Sequence, residues 1–258
     1  MTPKADSTPD ALRTIPGKSL DAQFDALWQR FTHLSQTVDT LNRWPMRWRR
    51  WLTPINISFI VPINDAEVTD YLIDAQQTLA PYMGYTPQPI DKLHVTLYQI
   101  GYLRAGLPIS GTWLREELNR LAQSAAHLFE QLPPFTVRIG PLNAFPNVAI
   151  AEVHDNGQLR LLESAAANVI PAGRRLSSTY PLIPHITLGY FGSRPALPII
   201  KVLRPLRTSP GLPLRIDRAA ITLYYRESGA YQAKHMLRHS VEEVIATLPL
   251  SKGDANAP

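Results

Sequence analysis

The sequence predicts an α+β domain of two lobes. Three observations carry that expectation. Short β-branched or aromatic runs alternate with apolar stripes at three- and four-residue steps along the chain. Each half holds a strand-like segment reading His-x-Thr-Leu, at His94–Leu97 and at His185–Leu188. No short-period repeat runs through the sequence, which excludes solenoids.

Taken in order, residues 1–18 are rich in Pro, Ser, Thr and charge and read as a flexible arm. Leu20, Phe24, Leu27, Trp28, Phe31, Leu34, Val38 and Leu41 then form one apolar stripe, with Ser19 as N-cap, so residues 19–52 read as a helical extension. Ile55–Val61 is a strand. Val68, Leu72, Ala75 and Leu79 mark a helix closed by Pro81, and Leu93–Ile100 is a second strand. A long helix through Leu114, Leu118, Leu121, Ala125 and Leu128 stops at Pro133-Pro134. Phe135–Leu142 and Val148–His154 read as strands around a Phe145-Pro146-Asn147 turn, and Leu159 to Ile170 as a helix. His185–Phe191 is again a strand, and Ile199–Leu206 a short helix. Ile216–Arg226 and Tyr231–Arg238 suggest a closing hairpin around Gly229, with the main domain spanning 53–245 and a flexible tail at 246–258.

Composition narrows the chemistry. The 258 residues are 45% hydrophobic and 18% charged, enough to bury a substantial core. Cysteine is absent, which removes thiolate metal sites and cysteine nucleophiles and leaves histidine and carboxylate chemistry. A net charge of +5 favours approach of phosphate-bearing ligands without demanding it. The N-terminus has no apolar run of the secretory type, and no stretch approaches the roughly 20 apolar residues of a membrane span. A cytoplasmic monomer with no stable membrane association is the expectation.

On a strand, residues i and i+2 share a face, about 7 Å apart. His94 and Thr96 therefore project together, as do His185 and Thr187, while Val95, Leu97, Ile186 and Leu188 alternate with them. Two imidazoles facing one another across a groove can act on one phosphodiester, one neutral as base and the other protonated as acid. Threonine hydroxyls can donate to the non-bridging oxygens, and the chemistry needs no metal or other cofactor. Ordinary core strands are the bland alternative. Roughly 0.06 His-x-Thr-Leu matches are expected by chance against the two present, which favours the functional reading.

These motifs, in KLHVTLYQIG and PHITLGYFG, resemble those of the two-histidine (2H) phosphoesterases. That family includes bacterial RNA 2′,3′-cyclic phosphodiesterases once described as 2′,5′-RNA ligases. The likeness covers roughly residues 53–240, and LNAFPNVAIAEV and ITLYYRESGAY add weaker support. It implies a bilobal, pseudo-two-fold fold with antiparallel sheets, helices outside and a central groove. It also implies His94 and His185 as the acid–base pair and Thr96 and Thr187 as phosphate ligands. RNA ends or a small cyclic nucleotide are the implied partners. The chain departs from the pattern in its extension of about 50 residues and in Gly189-Tyr190, where some members carry an arginine after the second motif.

Strict alternation would put Tyr98 on the face of His94, and Gly189 and Phe191 on that of His185. Tyr98 and Phe191 are thus candidates for base stacking. Arg43, Arg47, Arg49 and Arg50 interleave with Trp44, Trp48 and Trp51; that segment suits a membrane surface, a nucleic acid, or simple docking onto the domain. His235 and His239, four apart, lack a third ligand at a recognisable spacing, so no metal site is expected. Arg174 and Arg175 precede the second motif and can reach a phosphate. The functional alternative is a noncatalytic RNA- or nucleotide-binding protein on the same fold.

Overall fold

The computed structural model describes residues 19–38, 55–82, 87–103, 111–175, 183–226 and 240–251. Among them, nine strands lie in one sheet: β1 (Ile55–Pro62), β2 (His94–Leu103), β3 (Thr112–Trp113), β4 (Phe135–Phe145), β5 (Val148–His154), β6 (His185–Tyr190), β7 (Leu212–Ile216), β8 (Arg218–Arg226) and β9 (Ser240–Pro249). Five α-helices accompany them among the described residues: α1 (Leu20–Thr32), α2 (Ala66–Leu79), α3 (Arg115–Phe129), α4 (Gln158–Val169) and α5 (Ala196–Leu206).

The strand order is β7-β4-β5-β6-β2-β1-β8-β9, with β3 beside β2. Apart from the parallel β2–β3 contact, every pairing of these strands is antiparallel. The order splits at its middle into two four-strand lobes, β7-β4-β5-β6 and β2-β1-β8-β9. They join through β2 and β6, whose one register pair is Val95 with Ile186. The result is a bilobal α+β half-barrel related by a pseudo-two-fold axis through that pair.

Alternation assigns the two faces. Ile57, Phe59, Val95, Ala149, Ala151, Ile186, Ile221 and Leu223 all point to one side, fully buried against α2–α5. Those helices contribute Val68 and Leu72, Leu118 and Phe129, Leu159 and Leu162, and Ile199 and Leu203. The opposite face carries Asn143, Phe145, Ile150 and Glu152 in one lobe and Ile60, Thr222 and Tyr224 in the other.

The apolar stripe that begins at Leu20 stays helical only to Thr32, short of the expected Leu41. Ser19 caps it through a hydrogen bond from the Ala22 amide. Beyond His33 the chain pairs instead with a distant segment: Thr37 N–H donates to the Arg194 carbonyl at 2.7 Å and Val38 N–H to that of Pro146 at 2.8 Å. Long-range backbone pairing thus replaces the last helical turns. At the other end, the partner of β8 is β9, which extends the folded domain beyond 245 to Pro249. β7 escaped the sequence reading because five residues on a sheet edge give too short a period. Residues 1–18, Tyr231–Arg238, the histidines at 235 and 239 and the Trp44–Trp51 segment lie outside the described residues. No helix among the described residues is long and apolar enough to cross a membrane.

α1 packs on the face opposite α2–α5. Phe24 and Leu27 bury against Phe145, Val148, Ile150 and Ile183, forming a second small core. A polar network holds it there. Glu152, 1% exposed, accepts from Arg207 and, at 2.6 Å, from Asn143 Nδ2, and its second oxygen meets His154 Nε2 at 2.7 Å. His154 Nδ1 reaches Asp21 of α1 at 2.7 Å, and Arg207 also donates to Asp25. Buried polar groups in such a network must all be satisfied. Glu152→Gln removes the anion facing a mostly buried guanidinium and should lower stability by about 2–3 kcal/mol, less than a fully orphaned charge because Asp25 remains. A lower urea midpoint at unchanged slope would show it; an unaltered midpoint would mean the network carries no weight.

Candidate active site

The site begins with one register pair. Val95 opposite Ile186 in an antiparallel ladder sets His94 across from Thr187 and Thr96 across from His185. Independent pairings agree: β5 aligns Glu152 with His185 and Ile150 with Thr187, and β1 aligns Ile60 with Thr96. Val95 and Ile186 are fully buried on the helix side, so the four polar residues face the other way, each partly exposed. Cross-strand neighbours sit about 5 Å apart and diagonal ones about 7–8 Å, so the two imidazoles are diagonal neighbours on one face, close enough for His185 to act electrostatically on His94.

Each ring is held in the same way. His94 Nδ1 lies 2.8 Å from the Lys92 carbonyl and His185 Nδ1 2.7 Å from the Ile183 carbonyl, two residues upstream in both cases. A carbonyl only accepts, so Nδ1 carries the proton and Nε2 presents its lone pair. Thr96 Oγ1 stands 3.2 Å from His94 Nε2. The Tyr224 hydroxyl lies 3.0 Å from His94 Nδ1 and 3.3 Å from Nε2, while Phe145 meets His185 edge-on at 5.1 Å.

Burial in this packed floor pushes His94 down to about 4, against the opposing pull of the Lys92 carbonyl and with a smaller downward push from His185. His185 is lowered for the same leading reason, opposed by the Ile183 carbonyl. Desolvation disfavours the imidazolium in both, so the resting pair is neutral near pH 7.

The residues expected to stack on a base lie elsewhere, and for one reason. After Thr96 the β1–β2 ladder slips: Ile60 pairs with Thr96 but Phe59 with Tyr98, leaving Leu97 as an extra residue. After Thr187 the β5–β6 ladder slips likewise: Ile150 pairs with Thr187 but Ala149 with Gly189, leaving Leu188 extra. A bulge puts two consecutive residues on one side and inverts the alternation beyond. Tyr98 therefore packs against the helix-side core, within electrostatic reach of Arg175 and Glu163. Gly189 faces the same way, opposite Ala149. Phe191 is fully buried and stacks on Phe31 of α1 with centroids 5.8 Å apart. Tyr190 faces the groove instead, a result of a slip that no local pattern displays, while Tyr224 reaches that face by plain alternation along β8.

Arg174 is engaged away from the dyad, donating to Glu117 at 2.7 Å and lying over the Trp113 ring. Arg175 donates to the Ile170 carbonyl. Among the described residues no three His, Cys, Asp or Glu side chains gather as a metal-binding group.

A family model described as the 2′-5′ RNA ligase superfamily matches residues 82–230, more than half the chain and both motifs. The chain belongs to the 2′-5′ RNA ligase superfamily, within the 2H phosphoesterases. No curated protein matches the sequence. Solved structures share the superfamily fold at low identity. TT0787 of Thermus thermophilus is 23% identical with a TM-score of 0.50, over 77% of this chain and 99% of its own. A protein described as a phosphoesterase is 18% identical with a TM-score of 0.53, over 77% and 99%. E. coli LigT, solved with 3′-AMP, is 16% identical with a TM-score of 0.54, over 76% of this chain and 98% of its own. These structures are thus matched almost end to end, and about a quarter of this chain lies outside each match.

The ring environments give a direct test. Histidine NMR should show His94 titrating near 4 and His185 below 6.5. His185→Ala removes only the smaller cause, so the His94 midpoint should rise yet remain below 6.5. A midpoint returning to 6.5 in that variant would mean the like-charge effect, not burial, dominates.

Proposed function

We propose that this chain is a cyclic phosphodiesterase that opens a 2′,3′-cyclic phosphate at the end of an RNA or on a nucleotide. The reading rests on the Val95–Ile186 register, which sets two Nδ1-anchored imidazoles and two threonine hydroxyls around one space. It is further supported by superfamily membership, and by LigT, of the same fold, having been solved with 3′-AMP.

In the working state one imidazole is neutral and its partner protonated. The neutral ring takes a proton from water through Nε2 as the water oxygen bonds to phosphorus. The bond from phosphorus to one ribose oxygen breaks, and the protonated ring delivers its Nε2 proton to that oxygen. Water is added across one P–O bond, and the two rings exchange protonation states, restored through solvent. Thr96 and Thr187 donate to the non-bridging oxygens as charge accumulates. The bound anion reverses the resting preference, since a phosphate beside the rings favours the imidazolium that burial disfavours.

His94→Ala and His185→Ala should each lower kcat by about 10²–10⁴, and Thr96→Val by about 10². Full turnover by both histidine variants would overturn the mechanism, and retained nucleotide binding without turnover in the wild type would favour the noncatalytic reading. Both free-enzyme histidines lie below 6.5, so the bell of kcat/KM should centre on the acid side of 6.5. Activity surviving EDTA is expected; its loss, restored by a divalent ion, would contradict a chemistry carried by these four side chains.

A further inference from the structure

We propose that α1 closes the His185 side of the groove, so that the phosphate acted upon carries a polynucleotide on one side at most. The inference takes the histidine pair as the seat of the phosphate and rests on the reading above. In-line displacement sends the entering and leaving groups in opposite directions, one past each imidazole. Whatever passes His185 must cross the groove face of β5 and β4, and that face is occupied. Phe145 and Ile150 are fully buried there and Val148 is 5% exposed, beneath Phe24 and Leu27 of α1. The polar groups that could have gripped a backbone are spent on the helix. Asn143 Nδ2 donates to the Phe24 carbonyl at 3.0 Å, and Glu152, the β5 neighbour of His185, is enclosed by Asn143, Arg207 and His154.

Anchoring at both ends keeps the helix from yielding to a ligand. Asp21 and Asp25 tie its body to His154 and Arg207. The chain that follows is stitched to residues 192–196, Thr37 Oγ1 donating to the Gly192 carbonyl at 2.6 Å and Ala196 N–H to the Ser35 carbonyl at 3.1 Å. A covering held by a small apolar core and two carboxylate contacts is a fixed wall, not a flap.

Among the described residues a cavity of about 300 Å³ lies beside Thr96, where β2 and β6 part beyond their one register pair, and it runs between the strands toward Val95, Leu97 and Leu159 of the helix side. Among the described residues Ser19 and Leu20 of the α1 start, Pro184, Arg160 and Glu163 line it. The matching gap at the other end of the junction is sealed. Gln88 N–H donates to the Leu188 carbonyl at 3.0 Å, and Gln76 Nε2 donates to the Leu188 and Gln88 carbonyls at 2.9 and 2.7 Å. About 300 Å³ is the lower end of small-ligand sites, room for a nucleoside-sized group or water and not for a strand. With the groove face past His185 covered by α1, the site accepts terminal or small cyclic phosphates, and two polynucleotides do not meet in it to be joined.

Two measurements on the full-length chain decide this. The wild type is given a 2′,3′-cyclic mononucleotide, an RNA ending in a 2′,3′-cyclic phosphate, and an RNA with one internal 2′,5′ linkage. At least one cyclic phosphate should be turned over with kcat/KM at least about 10²-fold above that for the internal linkage, and no joining to a 5′-hydroxyl RNA should occur. Comparable cleavage of the internal linkage, or joining of two strands, would overturn the closure. Binding is measured separately with His94→Ala protein, using a linear RNA with a 3′-phosphate and a circular RNA of equal length, in which every phosphate has polymer on both sides. The circle should bind at least tenfold more weakly, and equal affinity refutes the proposal. If no cyclic phosphate is turned over, the reaction proposed above fails while the affinity ratio still decides the closure. Leu20→Trp, which fills the cavity, should weaken the cyclic mononucleotide at least tenfold at unchanged Tm; an unchanged KM with intact folding would remove the cavity from the substrate's path.

Discussion

The pairing of Val95 with Ile186 is the constraint on which the rest of the molecule depends. It is the one register pair between two four-strand lobes, and it places both residues in the helix-side core. Because side chains alternate, burying those two apolar residues obliges their four polar neighbours to face the groove together. A slip of one residue would invert both sets. The geometry of the site is thus enforced by hydrophobic burial, and the same contact that joins the lobes positions the imidazoles.

Around that contact the molecule departs from its own pseudo-symmetry in instructive ways. Both histidines are anchored through Nδ1 to a carbonyl two residues upstream, and both motifs are followed by a bulge at leucine. Yet the groove face of one lobe is occupied by α1, with Glu152, Arg207, Asn143 and His154 satisfying one another beneath it. In the other lobe, Tyr224 reaches across to His94. The lobes share the two-histidine framework and differ in what lies against their groove faces.

The strands and helices were legible because each relies on local periodicity. Phe135 and Val137, or Leu118, Leu121 and Ala125, repeat at the period of the element they form, and tertiary packing agrees with that preference. The alternation failed at Tyr98, Gly189 and Phe191, where Leu97 and Leu188 are extra residues in their ladders. A bulge is defined against a neighbouring strand distant in sequence, so a single segment gives no sign of it. The helical stripe misled after Thr32 for a related reason, since partners at residues 146 and 194 drew the chain into extended pairing.

The sequence by itself determined the two histidine–threonine strands, the α+β class and the family likeness, because residue type and short spacing suffice to define them. Only the tertiary structure decided that the motifs lie antiparallel about Val95 and Ile186, that the aromatics after them turn away, and that α1 lies across the groove face. Those outcomes follow from register and from packing between segments more than a hundred residues apart, such as Phe24 on Phe145 and Asp21 on His154. Such contacts are fixed by which surfaces meet when water is excluded, and a one-dimensional pattern does not contain that information.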